Sequence, residues 1–169
     1  MLLSNGISLT YPTGGLGPEQ IVNHDFTGTL ETGDDYGEWE DDVAGAGGMS
    51  ISGNTFVITD DPGGSTAYRV TQKIDISDIP DNTNFLFSWE QSYSQIPVGT
   101  VVYMFLGTGR SGSDYNDIVN TSLLYPATGP KIYSTIVSPG TADDLYVSPS
   151  VAGSRKTAKY GFISLKPFL

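Results

Sequence analysis

The feature that most constrains this chain is strict two-residue alternation in its middle third. From Ala67 to Ile76, the residues Tyr68, Val70, Gln72, Ile74 and Ile76 fall on one side, and Arg69, Thr71, Lys73 and Asp75 on the other. A period of two is that of a β-strand with one buried face. Gln72 is the one polar break in the apolar side. The run from Asn84 to Tyr93 repeats the pattern more strongly: Phe85, Phe87 and Trp89 alternate with Leu86, Ser88 and Glu90. Its aromatic side is expected to be core.

Other runs read the same way. Met49 to Ser52 and Thr55 to Thr59 flank Gly53-Asn54, a hairpin-turn dipeptide. Thr100 to Leu106, Lys131 to Val137, Leu145 to Val147 and Tyr160 to Leu165 are further strands. In the last, Tyr160, Phe162 and Ser164 are expected on one face, with Ile163 and Leu165 on the other. Ile21 to Phe26 is an opening strand, and Asp117 to Leu124 is a strand or a single helical turn. Residues 33–42 form a turn-rich acidic stretch. Asp60 to Gly64, Ser77 to Thr83, Gly107 to Asn116 and Val151 to Thr157 have the composition of turns and loops. This makes about nine or ten short strands and no amphipathic helix, the pattern of a sandwich or barrel. With no crossover helices, the pairing is antiparallel. The 21 Gly and 10 Pro are dispersed, as many tight turns require.

At 169 residues the chain is one domain by length. Residues 1–18 form an N-terminal arm: Leu2, Leu3, Ile7, Leu9 and Tyr11 are apolar, but Pro12, Gly14, Gly15, Gly17 and Pro18 prevent a continuous element. Such an arm is a frayed terminus or an attachment element lying on a neighbouring subunit, and the second is the expectation. Residues 19–169 form the sandwich. The formal net charge of -11 argues against nucleic acid and against anionic membranes as partners. There is no Cys, so no disulfide or thiolate metal site exists. The first residues have no basic region before a long apolar run, so no signal peptide is expected, and synthesis in a host cytoplasm is.

Asn23-His24-Asp25-Phe26, the following Gly28 and Trp39 resemble the opening of jelly-roll carbohydrate-binding modules, whose usual form is Asn-Gly-Asp-Phe-Glu, then Gly and Trp. Ala67-Tyr68-Arg69-Val70-Thr71-Gln72, Phe85-Leu86-Phe87-Ser88-Trp89 and Tyr160-Gly161-Phe162-Ile163-Ser164-Leu165 resemble later strands of the same modules. The resemblance implies an all-β antiparallel sandwich, a jelly roll, over residues 20–165. It also implies a structural calcium, but Thr27 replaces the usual Glu and a late Asp is missing.

Few residues suggest catalysis. His24 is the single His, and reads as a strand-edge or turn histidine rather than part of a triad. Asp34, Asp35, Glu38, Glu40, Asp41 and Asp42 crowd one stretch, without the placement across a sugar that a glycosidase requires. Clustered carboxylates suit Ca²⁺, and Asp25, Asp34 and Asp35 are its candidates. No EF-hand spacing is present. No cofactor is implied. Sugar rings stack on aromatic faces while amides and carboxylates bind their hydroxyls. The candidates are Tyr36, Trp39, Gln91, Tyr93 and Tyr115, with Tyr103 and Glu90 beside them; Trp39 is read first as core.

Two functions follow as expectations. The first is a non-enzymatic bacteriophage virion protein, a capsid decoration (cement) protein that clamps the major capsid protein through its arm, as a homotrimer. The second is a carbohydrate-binding module, or a tail or fibre protein that adheres to surface glycans.

Overall fold

The computed structural model describes residues 15–41, 47–60, 67–93, 101–109, 117–124, 130–152 and 157–169. For Tyr93, Val101, Asp117 and residues 122–124 it describes the backbone only. Ten strands follow in order: β1 (Trp39–Asp41), β2 (Gly47–Ile51), β3 (Phe56–Asp60), β4 (Tyr68–Asp75), β5 (Phe85–Tyr93), β6 (Val101–Gly107), β7 (Asp117–Leu124), β8 (Lys131–Val137), β9 (Asp144–Ala152) and β10 (Thr157–Pro167). They form two five-stranded sheets, β1-β4-β9-β6-β7 and β2-β3-β10-β5-β8. Every strand pair is antiparallel. The expected all-β sandwich of the jelly-roll type is the observed fold.

The alternation does its work as expected. Tyr68, Val70, Ile74, Phe85, Phe87 and Trp89 are buried between the sheets. Gly53 and Asn54 take φ of 58° and 55° and close the β2–β3 hairpin, where a left-handed pair matches the strand twist. Asp117–Leu124 resolves as strand β7.

Four expectations need correction. Ile21 to Phe26 is not a strand but a series of turns. The Asn23 side chain takes over the backbone bonds a strand would need: Oδ1 accepts from Gly28 N at 2.8 Å, and Nδ2 donates to Thr29 O at 3.2 Å. Asn23 and Phe26 adopt φ of 52° and 54°, and Phe26 N donates to Asn23 O. Phe26 still anchors the segment, stacked 5.0 Å from Phe56. Second, the acidic stretch is not all turn, because Trp39–Asp41 pairs with β4 as β1. Third, β9 runs well past Val147 and through Pro149. The β4–β9 ladder is interrupted between Arg69↔Ser150 and Gln72↔Val147, where Pro149 has no N–H to give. Fourth, the β10 register shifts between Tyr160 and Phe162, so Tyr160, Ile163 and Leu165 are buried together. Gly161 sits at this bulge with the Glu90 carboxylate packed over it.

Gln72 is the buried polar group that holds the turn segment to the sheet. Its Oε1 accepts from Val22 N at 3.2 Å, and its Nε2 donates to Gly37 O at 2.9 Å. Residues 15–20 are tied to the end of β10. Gly17 N donates to Pro167 O, and the Glu19 carboxylate accepts from Leu165 N at 2.7 Å and Ser164 Oγ at 2.5 Å. The last part of the expected arm thus lies on its own sandwich. Leu2, Leu3, Ile7, Leu9 and Tyr11 lie outside the described residues.

Candidate functional site

The outer face of the β1-β4-β9-β6-β7 sheet carries the most distinctive side chains of the described surface. Alternation points Arg69, Thr71 and Lys73 of β4 away from the core, with Tyr146, Ser148 and Ser150 of β9 and Tyr103 and Phe105 of β6. Register aligns them in rows. Glu40 lies opposite Thr71, Arg69 opposite Ser150, and Ser150 opposite Tyr103. Phe105 lies opposite both Ser148 and Asn120.

The rings of Tyr103 and Phe105 stack with centroids 5.6 Å apart and planes 15° from parallel. The Arg69 guanidinium carbon sits 4.6 Å from the Phe105 centroid. Phe105 is only 8 % exposed as a result, and Tyr103 presents the accessible ring. Beside them the hydroxyls are sunk. Thr71, Ser148 and Ser150 are buried although they point away from the core, so they form the floor of a recess. Thr71 Oγ1 and Ser148 Oγ share a hydrogen bond of 2.8 Å, and Ser150 Oγ donates to Tyr68 O.

The recess opens at one end into a cleft of about 190 Å³, lined by Gly33, Asp34, Asp35, Glu38, Glu40, Thr71, Lys73 and Tyr146. Lys73 is committed within this group. Its Nζ lies 3.1 Å from Asp144 Oδ2 and 4.1 Å from the centre of the Tyr36 ring. Hydrogen bonding with Tyr36, then with Asp144, holds the Lys73 ammonium above its ordinary pKa. Tyr36 OH donates to Asp144 Oδ1 at 2.7 Å, which pins the rim. Four carboxylates therefore face the cleft with one cation already paired.

The structure sorts the expected site residues. Tyr36 is 50 % exposed at the rim, and Asp34 and Asp35 line the cleft. Tyr103 is on the sheet face. Trp39 is no platform: it is 1 % exposed and packs 4.7 Å from Phe56. Gln91 is also interior, accepting from Trp89 Nε1 at 3.0 Å, because both side chains belong to the inward register of β5. Glu90 lies on the opposite sheet, against Gly161. Tyr115 and the Tyr93 side chain lie outside the described residues. His24 sits in a turn, where its carbonyl accepts from Ile163 N. Among the described residues no three His, Cys, Asp or Glu side chains group to hold a metal. Asp25 instead accepts from Thr27 Oγ1 at 2.9 Å, which keeps its pKa below the usual value.

Phe105, Tyr146, Ser148 and Ser150 were not singled out in the sequence. Their signal is the partner of an alternation already visible in β4, and it needs the strand order to be read.

No family model and no curated protein matches the chain. Solved structures do. The fold is the jelly roll of carbohydrate-binding modules. A CBM4 module matches with a TM-score of 0.67 at 11% identity, over 87% of this chain and 99% of that one. The CBM22-1 xylan-binding domain of Paenibacillus barcinonensis Xyn10C gives 0.58 at 8% identity, over 92% and 96%. A tailspike of bacteriophage CBA120, tailspike protein 4, contains a similar jelly roll. There the TM-score is 0.51 at 15% identity, over 88% of this chain and 21% of that chain.

Proposed function

We propose that this protein is a non-catalytic glycan-binding module. It holds a neutral polysaccharide along the outer face of the β1-β4-β9-β6-β7 sheet. The observation that carries this reading is the stacked Tyr103–Phe105 pair under Arg69, set beside recessed hydroxyls and a carboxylate-lined cleft. A sugar ring has an apolar C–H face and a polar rim. The half-buried Tyr103 ring suits the first, and the cleft carboxylates and Tyr146 suit the second. The jelly roll shared with sugar-binding modules supports the same reading.

A virion role is compatible with it in one form, a tail or fibre domain that grips surface glycan, and the jelly roll within a phage tailspike supports that setting. Capsid decoration by a trimer rests on sequence features, the apolar arm among them, and Leu2, Leu3, Ile7, Leu9 and Tyr11 of that arm lie outside the described residues; no described feature adds support to it.

The test is affinity electrophoresis and calorimetry against soluble neutral polysaccharides, β-1,4-xylan among them. Wild type is retarded, and Tyr103→Ala weakens binding by about tenfold, the worth of one lost stacking contact. Wild type that ignores every neutral polysaccharide on a broad array overturns the proposal.

A further inference from the structure

The acidic cleft does not end at β1. A second groove, of about 490 Å³, lies between β1 and β2, the outermost strands of the two sheets, and Gly33 and Glu40 line both hollows. The groove is walled by Thr32, Trp39, Asp41, Met49 and Tyr68, with the backbones of Gly47 and Gly48. Its shape follows from the sequence. Glycine at 47 lets β2 pass against the Tyr68 ring, where a Cβ would collide. Tyr68 is held in place by its hydroxyl, which donates to the Asp41 carboxylate.

One wall residue is incomplete. The indole Nε1–H of Trp39 is buried and has no hydrogen-bond partner among the described residues. Trp89, the other tryptophan, satisfies its N–H on Gln91. An unpaired buried donor is costly, and folded chains rarely leave one without a use. Met49, unbranched and half-buried on the same wall, can turn aside at little cost to admit an acceptor.

We infer that the glycan-binding surface continues over the edge of β1 into this groove, where Trp39 Nε1–H donates to a hydroxyl or ring oxygen of a further sugar unit. This rests on the glycan-binding reading above. The ligand is then an extended neutral chain: the sheet face holds one part, the chain crosses Gly33 and Glu40, and the groove takes the next part. Short oligosaccharides fill the face alone, and longer ones gain the groove.

The experiment is calorimetry of the full chain with ladders of β-1,4-linked xylo- and cello-oligosaccharides, from disaccharide to hexasaccharide. In wild type, affinity rises with length beyond what the face accounts for. Trp39→Phe keeps an aromatic, though smaller, ring and removes the donor, and lowers hexasaccharide affinity about threefold to tenfold while disaccharide affinity is unchanged. Thr32→Arg, at an exposed wall position, fills the groove and abolishes the same gain without touching the core. In NMR spectra the Trp39 indole proton shifts on adding hexasaccharide but not disaccharide, and the Trp89 proton shifts with neither. If both variants keep the full length dependence, or if the Trp39 proton never moves while oligosaccharides bind, the groove is not a subsite and the sheet-face reading stands. If no member of either ladder binds and the broad array is also silent, the sheet-face reading falls and this inference with it.

Discussion

The two sheets of this sandwich bury their inner faces in one core, yet their outer faces are built differently. On the β2-β3-β10-β5-β8 sheet the outward residues are ordinary for a solvated strand. Ser88 and Ser134 pair at 3.0 Å, Thr59 and Thr157 at 3.2 Å, and Ile132 stands 65 % exposed at the edge. On the other sheet the outward hydroxyls of Thr71, Ser148 and Ser150 are withdrawn from water, and aromatic rings and a guanidinium stand beside them. Small polar groups sunk beneath larger ones make a recess, and a recess holds a ligand better than a flat face does. The contrast locates function on one side of a fold whose two sides share the same strand pattern.

The largest expected effect breaks both faces together. Phe26→Ala removes a fully buried ring that packs on Phe56 and Trp39, and destabilises the protein by about 3–5 kcal/mol. Urea denaturation measures it; a loss under about 1 kcal/mol would show that the turn segment is not part of the core. The next effect separates the faces. Tyr103→Ala weakens polysaccharide binding by about tenfold, whereas Ser88→Ala on the opposite sheet leaves it unchanged. Equal losses in the two variants, at equal melting temperature, would erase the contrast.

The sandwich was legible in the sequence because alternation is a local property. β4 and β5 could be read from their own side chains, and Gly53-Asn54 announced its hairpin. The site was legible only in halves. Arg69, Thr71 and Lys73 were visible as the second face of a strand. That Ser150 and Tyr103 lie beside Arg69 depends on β9 sitting between β4 and β6, a non-local fact. The turn at Asn23 was missed for a related reason: β-branched Ile21 and Val22 favour strand, but one Asn side chain with two backbone partners overrides them. Trp39, read first as core, is core at 1 % exposure; exposure, not residue type, makes a platform, and exposure is settled by register.

Charge sharpens the comparison further. Asp34, Asp35, Glu38 and Glu40 face the cleft, and Lys73, the one cation among its described lining residues, is already paired with Asp144. An anionic polymer such as polygalacturonate meets like charge at this end of the face, whereas neutral xylan does not. At low ionic strength polygalacturonate is expected to bind severalfold more weakly than xylan, with the gap narrowing as salt screens the cleft. Tighter binding of polygalacturonate at low salt would place the ligand away from the cleft.

The smallest effect concerns two exposed carboxylates outside the recess. Asp75, at the end of β4, accepts from Ser77 N at 2.9 Å; hydrogen bonds from the Ser77 side chain and backbone hold its pKa below the ordinary 3.8. Asp25 is lowered in the same way by Thr27. A depressed folded-state value means the ionised form stabilises the fold, so the contribution is complete above the ordinary value and fades as pH falls through the lowered one. Both groups are fully exposed, so the effect is slight. Melting curves of wild type and the double variant Asp25→Asn/Asp75→Asn are expected to differ slightly at neutral pH and to converge as pH falls through the lowered carboxylate values, as linkage of depressed carboxylates requires. Because neither carboxylate lines the cleft, xylan affinity at neutral pH should be the same in both proteins. A drop in affinity without a drop in melting temperature would extend the binding face to the end of β4, and would redraw the boundary between the two kinds of surface.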